Sequence, residues 1–467
     1  MERVPPRWSS RLLARPWLAA FVPVNAAQSA FGVALPLLIL ITLGESWPQV
    51  ALAATVYNIA VILSSIVWGH IADRYPERRP LLVMSYAGTA AAYLALTQVH
   101  SLTPLLGIYV VIGVLTPAAT NASNLLILEK FPAPDRPTAF ASFQEMSILG
   151  SLAGLLVGYF WLVTGHPLPP LLYALAGLAV GSAIAVQFVI REGPSPAHSS
   201  HLTHHAASLA ARLRHTGGLQ VPYFPKRPSL RPGGWGRFRR WVREEVHHEL
   251  PLIFAATFLF NLSANLFNIS YTPFLVASGV STAAIFLVSF GNCVAQAFAF
   301  PLSGGAVLHA GADRVVQRST YFRSLGYLAV AGFTFVPGLY GTSAFQVNIL
   351  AYALLGGAIA FYSTASSIIL FRALDGRDAG MLIGVSSALG GIAAVAGSVL
   401  SGVLAVFGSY RLTFLVSAGA LLASVPIWAA ARVAWNRQQE GGAPAPPSPP
   451  RTSPPAPAVE VARRETP

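Results

Sequence analysis

Twelve long apolar runs constrain what this chain can fold into more than any other feature. They fall near 17–43, 49–69, 80–99, 104–128, 138–163, 169–190, 251–277, 282–308, 322–340, 345–371, 379–407 and 412–434. A helix rises about 1.5 Å per residue, so about twenty residues cross the ~30 Å hydrocarbon core of a bilayer. Water is absent there, and a spanning segment must bond its own backbone, which an α-helix does. Composition points the same way. The chain is 54% hydrophobic and 10% charged, with a mean hydropathy of +0.57, where a soluble domain carries about 25% charge. The expected fold is an all-α integral membrane protein with twelve transmembrane helices.

Charge gives the topology. Twelve spans place both termini on one side of the membrane, and on that side fall 29 of the 30 Lys and Arg residues, with Arg411 left for the other face. The three assigned to the turn after the eighth span are Arg314, Arg318 and Arg323. A miscounted span would scramble this asymmetry, so the termini are expected to be cytoplasmic, in an inner (plasma) membrane. The net charge of +13 then reflects orientation and not affinity for nucleic acid. A single Cys293 excludes an internal disulfide and a cysteine metal cluster. Arg11, Arg15 and the run Trp17–Val24 look like the start of a signal peptide. The apolar run continues to Thr42, however, and cleavage near Ala30 would leave a remnant too short to span.

Five segments follow: a tail over 1–16, six spans over 17–190, a linker over 191–250, six spans over 251–434, and a tail over 435–467. The last is rich in Pro, Ala and Ser and is expected to be disordered. The linker is basic and holds His198, His201, His204 and His205, which without accompanying cysteines or carboxylates read as a solvated loop and not a metal site. Near its end Trp235, Phe238, Trp241, Val242 and Val246 approximate one helical face beside Arg237, Arg239, Arg240 and Arg243. That pattern suits an amphipathic helix lying on anionic lipid.

The turn after the second span reads Gly69-His-Ile-Ala-Asp73-Arg74-Tyr-Pro-Glu77-Arg78-Arg79. It resembles the loop signature of the major facilitator superfamily, although Pro76 and Glu77 stand where that family usually has Gly and a basic residue. Glu129 to Arg136 is similar to the family's loop after the fourth span, and Gly305 to Arg314 looks like a degraded second copy of the signature. The resemblance covers about residues 15 to 435. It implies two pseudo-symmetric six-helix bundles, a central cavity lined by spans 1, 4, 7 and 10, and a gating role for Gly69, Asp73, Arg74, Arg78 and Arg79. Gly69 is expected to let two helices approach closely.

Polar side chains within spans are costly and tend to face a cavity or another helix. Asn261, Asn265 and Asn268 share one face of span 7. Asn25 and Gln28 in span 1, Asn121 and Asn124 beside Thr120 in span 4, Asn292 and Gln296 in span 8, and Tyr362 in span 10 complete the candidate substrate-binding set. Each amide has the alternative of tying two helices together. Glu145 is the clear carboxylate within a span: a candidate proton carrier, or a hydrogen-bonded carboxyl near the interface. Gly150, Gly154 and Gly158, and in span 11 Gly384, Gly390, Gly391 and Gly397, form close-packing faces.

The chain lacks Gly-x-Ser-x-Gly, His-Glu-x-x-His and a phosphate loop with Lys, so it is expected not to be an enzyme and to need no cofactor. A monomeric secondary transporter is expected, exporting a lipophilic or cationic compound against protons; no basic residue at mid-depth argues against anionic substrates. Proton-linked uptake of a sugar or similar solute is the alternative within the class. A membrane sensor or scaffold that has lost transport is the alternative outside it.

Overall fold

The computed structural model describes residues 16–74, 77–130, 136–190, 249–336, 338–373 and 379–441. The stretch expected to form an amphipathic linker helix, the histidine cluster and most of both tails lie outside them. Twelve helices span the described residues, without a strand among them. The first, α1 (Val22–Leu37), is preceded by a 3-10 turn (Pro16–Phe21) and followed by a π-turn (Leu38–Thr42) just past Pro36. The others are α2 (Trp47–Arg74), α3 (Arg79–Leu96), α4 (Leu102–Lys130), α5 (Arg136–Val163), α6 (Leu171–Val189), α7 (Glu249–Ala277), α8 (Thr282–Ala310), α9 (Ala312–Phe333), α10 (Thr342–Ala373), α11 (Ala379–Val406) and α12 (Tyr410–Gly441).

Ten of the twelve are long and apolar enough to cross a membrane; α3 and α9 are not among them. Each has a reason. α3 opens on Arg79 and Pro80 and buries Ser85, Tyr86, Thr89 and Tyr93. α9 carries Asp313, Arg314, Arg318 and Arg323. Its position also corrects the expected ninth span. The helix starts ten residues earlier than the apolar run at 322–340 and ends at Phe333, because the polar side chains Ser319, Thr320, Arg323 and Ser324 belong to its buried face. Large apolar side chains such as Leu63, Phe188, Phe298, Leu302, Leu350 and Leu354 are exposed, as a chain solvated by lipid requires.

The two halves repeat one packing scheme. In the first, α1 packs on α5 and α6, α2 on α4, and α3 on α4 and α6. In the second, α7 packs on α11 and α12, α8 on α10, and α9 on α10 and α12. Glycines mark equivalent contacts. A Cβ on Gly154 would overlap Ala26 O of α1, and one on Gly397 would meet Leu262 O of α7. Likewise Gly113 lies against Tyr57 O and Gly356 against Asn292 O, while Gly88 faces Leu115 and Gly326 faces Leu355. Between helices in lipid, where apolar burial gives little drive, such close backbone approach supplies the dispersion contact.

Across the halves α2 packs on α11 and α5 on α8. These two seams are related by the same exchange of halves. Gly402 sits against Ala51 at one and Gly158 against Phe286 at the other. With α2 also on α4, α5 on α1, α8 on α10 and α11 on α7, the eight helices ring the space between the halves, and α1, α4, α7 and α10 stand between the seams.

Candidate substrate site

The amides chosen from the sequence divide by what they touch. On α7, Asn261 Nδ2 donates to Thr257 O (2.9 Å) and Asn265 Nδ2 to Asn261 O (2.9 Å). Both are half-buried, whereas Asn268 is exposed. The row runs along α11: Asn261 lies over Gly390, and Asn265 over Gly397. On α1, Asn25 Nδ2 donates to Phe21 O (2.7 Å), and its Cβ faces Gly150 of α5. Gln28, three residues on, is exposed. On α4, Thr120 and Asn124 are exposed and Asn121 half-buried. Bonds to the helix's own carbonyls occupy part of each amide and leave its oxygen free to accept. Gln28, Asn124 and Asn268, from three of the four helices between the seams, make no hydrogen bond to another described residue.

Asn292 is different. Its Nδ2 donates to Tyr352 O (2.6 Å), and its side chain lies against Gly356, so it ties α8 to α10. Gln296 Nε2 donates to Asn292 Oδ1 (2.7 Å) and holds that tie in place. Packing claims this pair, because a side-chain amide left without partners between helices in lipid is costly.

Glu145, half-buried in α5, is engaged with a neighbouring group. In the signature turn, no atom of another described residue lies within 4 Å of where a Gly69 Cβ would sit, so the close helix approach expected there is not made with a described residue. The side chains of Asp73 and Arg74 lie outside the described residues. Arg78 is buried and donates to Ala72 O, placing a cation on the carbonyl end of α2. Arg79 Nε donates to Gln187 Oε1 (3.1 Å) and ties α3 to α6. In the second half Asp313 pairs with Arg372 at 3.4 Å, and Arg372 lies over the Trp435 ring, joining the start of α9 to the ends of α10 and α12.

The face opposite the linker is latched. Trp47, at the start of α2, stacks on Tyr410 of α12 with ring centroids 4.4 Å apart. Its Nε1 donates to Ser401 Oγ of α11 (3.2 Å), which lies 3.0 Å from Ser270 Oγ of α7. On that same face a cavity of about 440 Å³ opens within the second half, lined by Phe274, Ser278, Thr334, Tyr340, Asn348 and Arg411 among others. None of the residues chosen from the sequence lines it. Arg411 Nη2 donates to Thr334 O (3.0 Å) and its guanidinium lies over Phe335.

A cluster inside the second half was missed apart from Tyr362. Tyr362 of α10 stacks face to face on Phe260 of α7, with centroids 3.4 Å apart and planes 3° apart. Trp428 of α12 meets Tyr362 edge-on at 6.3 Å. Tyr362 OH makes no hydrogen bond of acceptable distance and angle, with the Thr257 side chain beside it, and Trp428 Nε1 makes none. Arg323, mid-helix in α9 and 4% exposed, lies over the rings of Phe260 and Tyr327 at 5.2 and 5.4 Å. The expectation of no basic residue at mid-depth is thereby overturned. An arginine at the centre of a spanning helix costs about 2.5–3.5 kcal/mol on insertion scales, so its retention points to a role. The one legible sign was helical spacing: Ser319, Thr320, Arg323, Ser324 and Tyr327 recur at three- and four-residue intervals.

A family model described as Major Facilitator Superfamily matches residues 17–345 and 253–466. The chain belongs to the Major Facilitator Superfamily. Solved structures of two superfamily transporters share the fold. One is the nucleoside transporter NupG, with a TM-score of 0.65, 13% identity, and coverage of 90% of this chain and 98% of that one. Another is a D-xylose-proton symporter, with a TM-score of 0.66, 15% identity, and coverage of 90% and 97%. No curated protein sequence matches the chain. The family and the apolar helices together make it a multi-pass membrane transporter.

Proposed function

We propose that the chain carries a small polar solute by alternating access, in exchange or in symport with protons, through the space enclosed by the two seams. The observation that carries this reading is the set of exposed amides, Gln28, Asn124 and Asn268, on three of the helices standing between the seams, in a fold whose opposite face is latched by Trp47. Amides orient a solute through its hydroxyl, amide or carboxyl groups. A lipophilic cation would find Arg323 behind the α7–α10 wall, and on those three helices carboxylates only at helix ends, Glu129 in α4 and Glu249 in α7, away from the amides, which favours a polar solute over the export of a lipophilic cation. The D-xylose-proton symporter offers a precedent in the same fold for proton linkage. Glu145 is our proton carrier, and the gradients set the direction of net flux. We place the protein in the cytoplasmic membrane as a monomer, both termini on the basic side and the linker against anionic lipid.

Proteoliposomes loaded with a pH dye and challenged with sugars, nucleosides, amino acids and organic acids test this reading. A solute-triggered pH change in the wild type, abolished in Glu145→Gln while solute counterflow persists, is the expected result. An equal pH response in both proteins would remove Glu145 from the mechanism.

A further inference from the structure

Among the described residues, no carboxylate lies within 4 Å of Arg323. Its Nε donates to Tyr327 OH (2.9 Å), the rings of Phe260 and Tyr327 face its guanidinium, and the phenols of Tyr352 and Tyr362 are within electrostatic reach. Ring faces and a phenol solvate a guanidinium without neutralising it. Two more groups in the same aromatic cluster make no hydrogen bond of acceptable distance and angle: the hydroxyl of Tyr362 (a residue 5% exposed), with the Thr257 side chain beside it, and Nε1 of Trp428 (2% exposed). A guanidinium with its terminal nitrogens uncommitted, an indole N–H and a phenol O–H share one buried cluster rich in donors and without a carboxylate among the described residues. The Phe260–Tyr362 stack joins α7 to α10, the two second-half helices that border the space between the halves. Arg323 on α9 and Trp428 on α12 lie behind it.

We propose that this cluster recognises a single carboxylate on a small aromatic solute, with the Phe260–Tyr362 stack as the door through which it enters. The terminal guanidinium nitrogens of Arg323 meet the carboxylate oxygens, since Nε is already committed to Tyr327. Tyr362 OH and Trp428 Nε1 supply the remaining donors, and the aromatic walls receive the ring. A monoanion balances the one buried charge. A phosphate dianion would leave a second negative charge without a partner, because Arg314 and Arg318 of the same helix are exposed and Arg372 is committed to Asp313. The inference rests on the transporter reading and narrows its solute.

Benzoate is the probe, with benzamide as its neutral isostere and inorganic phosphate as the alternative anion. Purified full-length protein in lipid nanodiscs is titrated with each while intrinsic tryptophan fluorescence and thermal unfolding are followed. Saturable binding of benzoate alone is expected, weakened about a hundredfold in Arg323→Met and less in Arg323→Lys. Should Arg323→Met fail to fold, Tyr362→Phe and Trp428→Phe retain aromatic packing and remove one donor each, and each should weaken benzoate about tenfold. Equal binding of benzoate and benzamide, binding of phosphate alone, or benzoate affinity indifferent to all four variants would overturn the proposal and leave Arg323 an aromatic-packed tie. Proton-linked flux of another solute without benzoate binding would sink the carboxylate site and spare the transporter. Benzoate binding without flux of any solute would do the reverse.

Discussion

At the scale of single residues, the same side-chain type plays two parts, and contact decides which. Asn292 and Asn268 are both asparagines in spanning helices, yet one is bonded to Tyr352 O across a helix contact and the other is exposed. Asn292→Ala removes that bond and leaves Gln296 Nε2 without its acceptor, and should cost about 0.5–1.5 kcal/mol of stability. Asn268→Ala should leave thermal unfolding unchanged and impair solute counterflow. Unfolding curves in detergent beside counterflow in proteoliposomes check both, and a destabilised Asn268→Ala protein with normal flux would move that residue from the site to the scaffold. Arg323 teaches the complementary lesson. A residue at the very start of the ninth apolar run, counted with the turn before it, is buried among aromatic rings midway along its helix, because helical phase and not local hydropathy determines which way it faces.

At the scale of helices, glycine sets how closely two axes approach. Gly154 in α5 lies against the backbone of Ala26, and its partner helix α1 cannot retreat without leaving α6 as well. Gly154→Val should therefore destabilise by at least about 1–3 kcal/mol, the usual cost of overpacking. Gly177 in α6 is exposed with open space around its Cβ position. Gly177→Ala should be neutral or gain up to about 1 kcal/mol through helix propensity. Fluorescence-detected size exclusion after heating separates the two, and a tolerant Gly154→Val would show that the α1–α5 contact is looser than its geometry. The Gly-rich faces of α5 and α11 were legible in the sequence as repeats at helical spacing. Which carbonyl each glycine accommodates was not, since that depends on the register of a helix more than a hundred residues away.

For the whole molecule, the two seams and the latched face define one of the states that alternating access requires. Gly402 lies with its Cβ position 3.4 Å from Ala51 Cβ, close to the separation found across a disulfide. In a Cys293→Ser background, Ala51→Cys with Gly402→Cys should cross-link on oxidation and stop transport, and reductant should restore it. Transport through the cross-linked protein would mean that the α2–α11 seam does not open during the cycle. The family, the twelve helices and the two halves were readable in advance, because lipid penalises every unpaired backbone group and so makes long apolar runs declare themselves. The basic residues, gathered on one side, fixed the parity of the count. Tertiary structure alone decided the start of α9, the division of the amides into ties and exposed groups, and the placing of Arg323 beside Tyr362 and Trp428. Those depend on how four helices from distant parts of the chain face one another, and hydropathy, a property of each segment by itself, carries no information about facing.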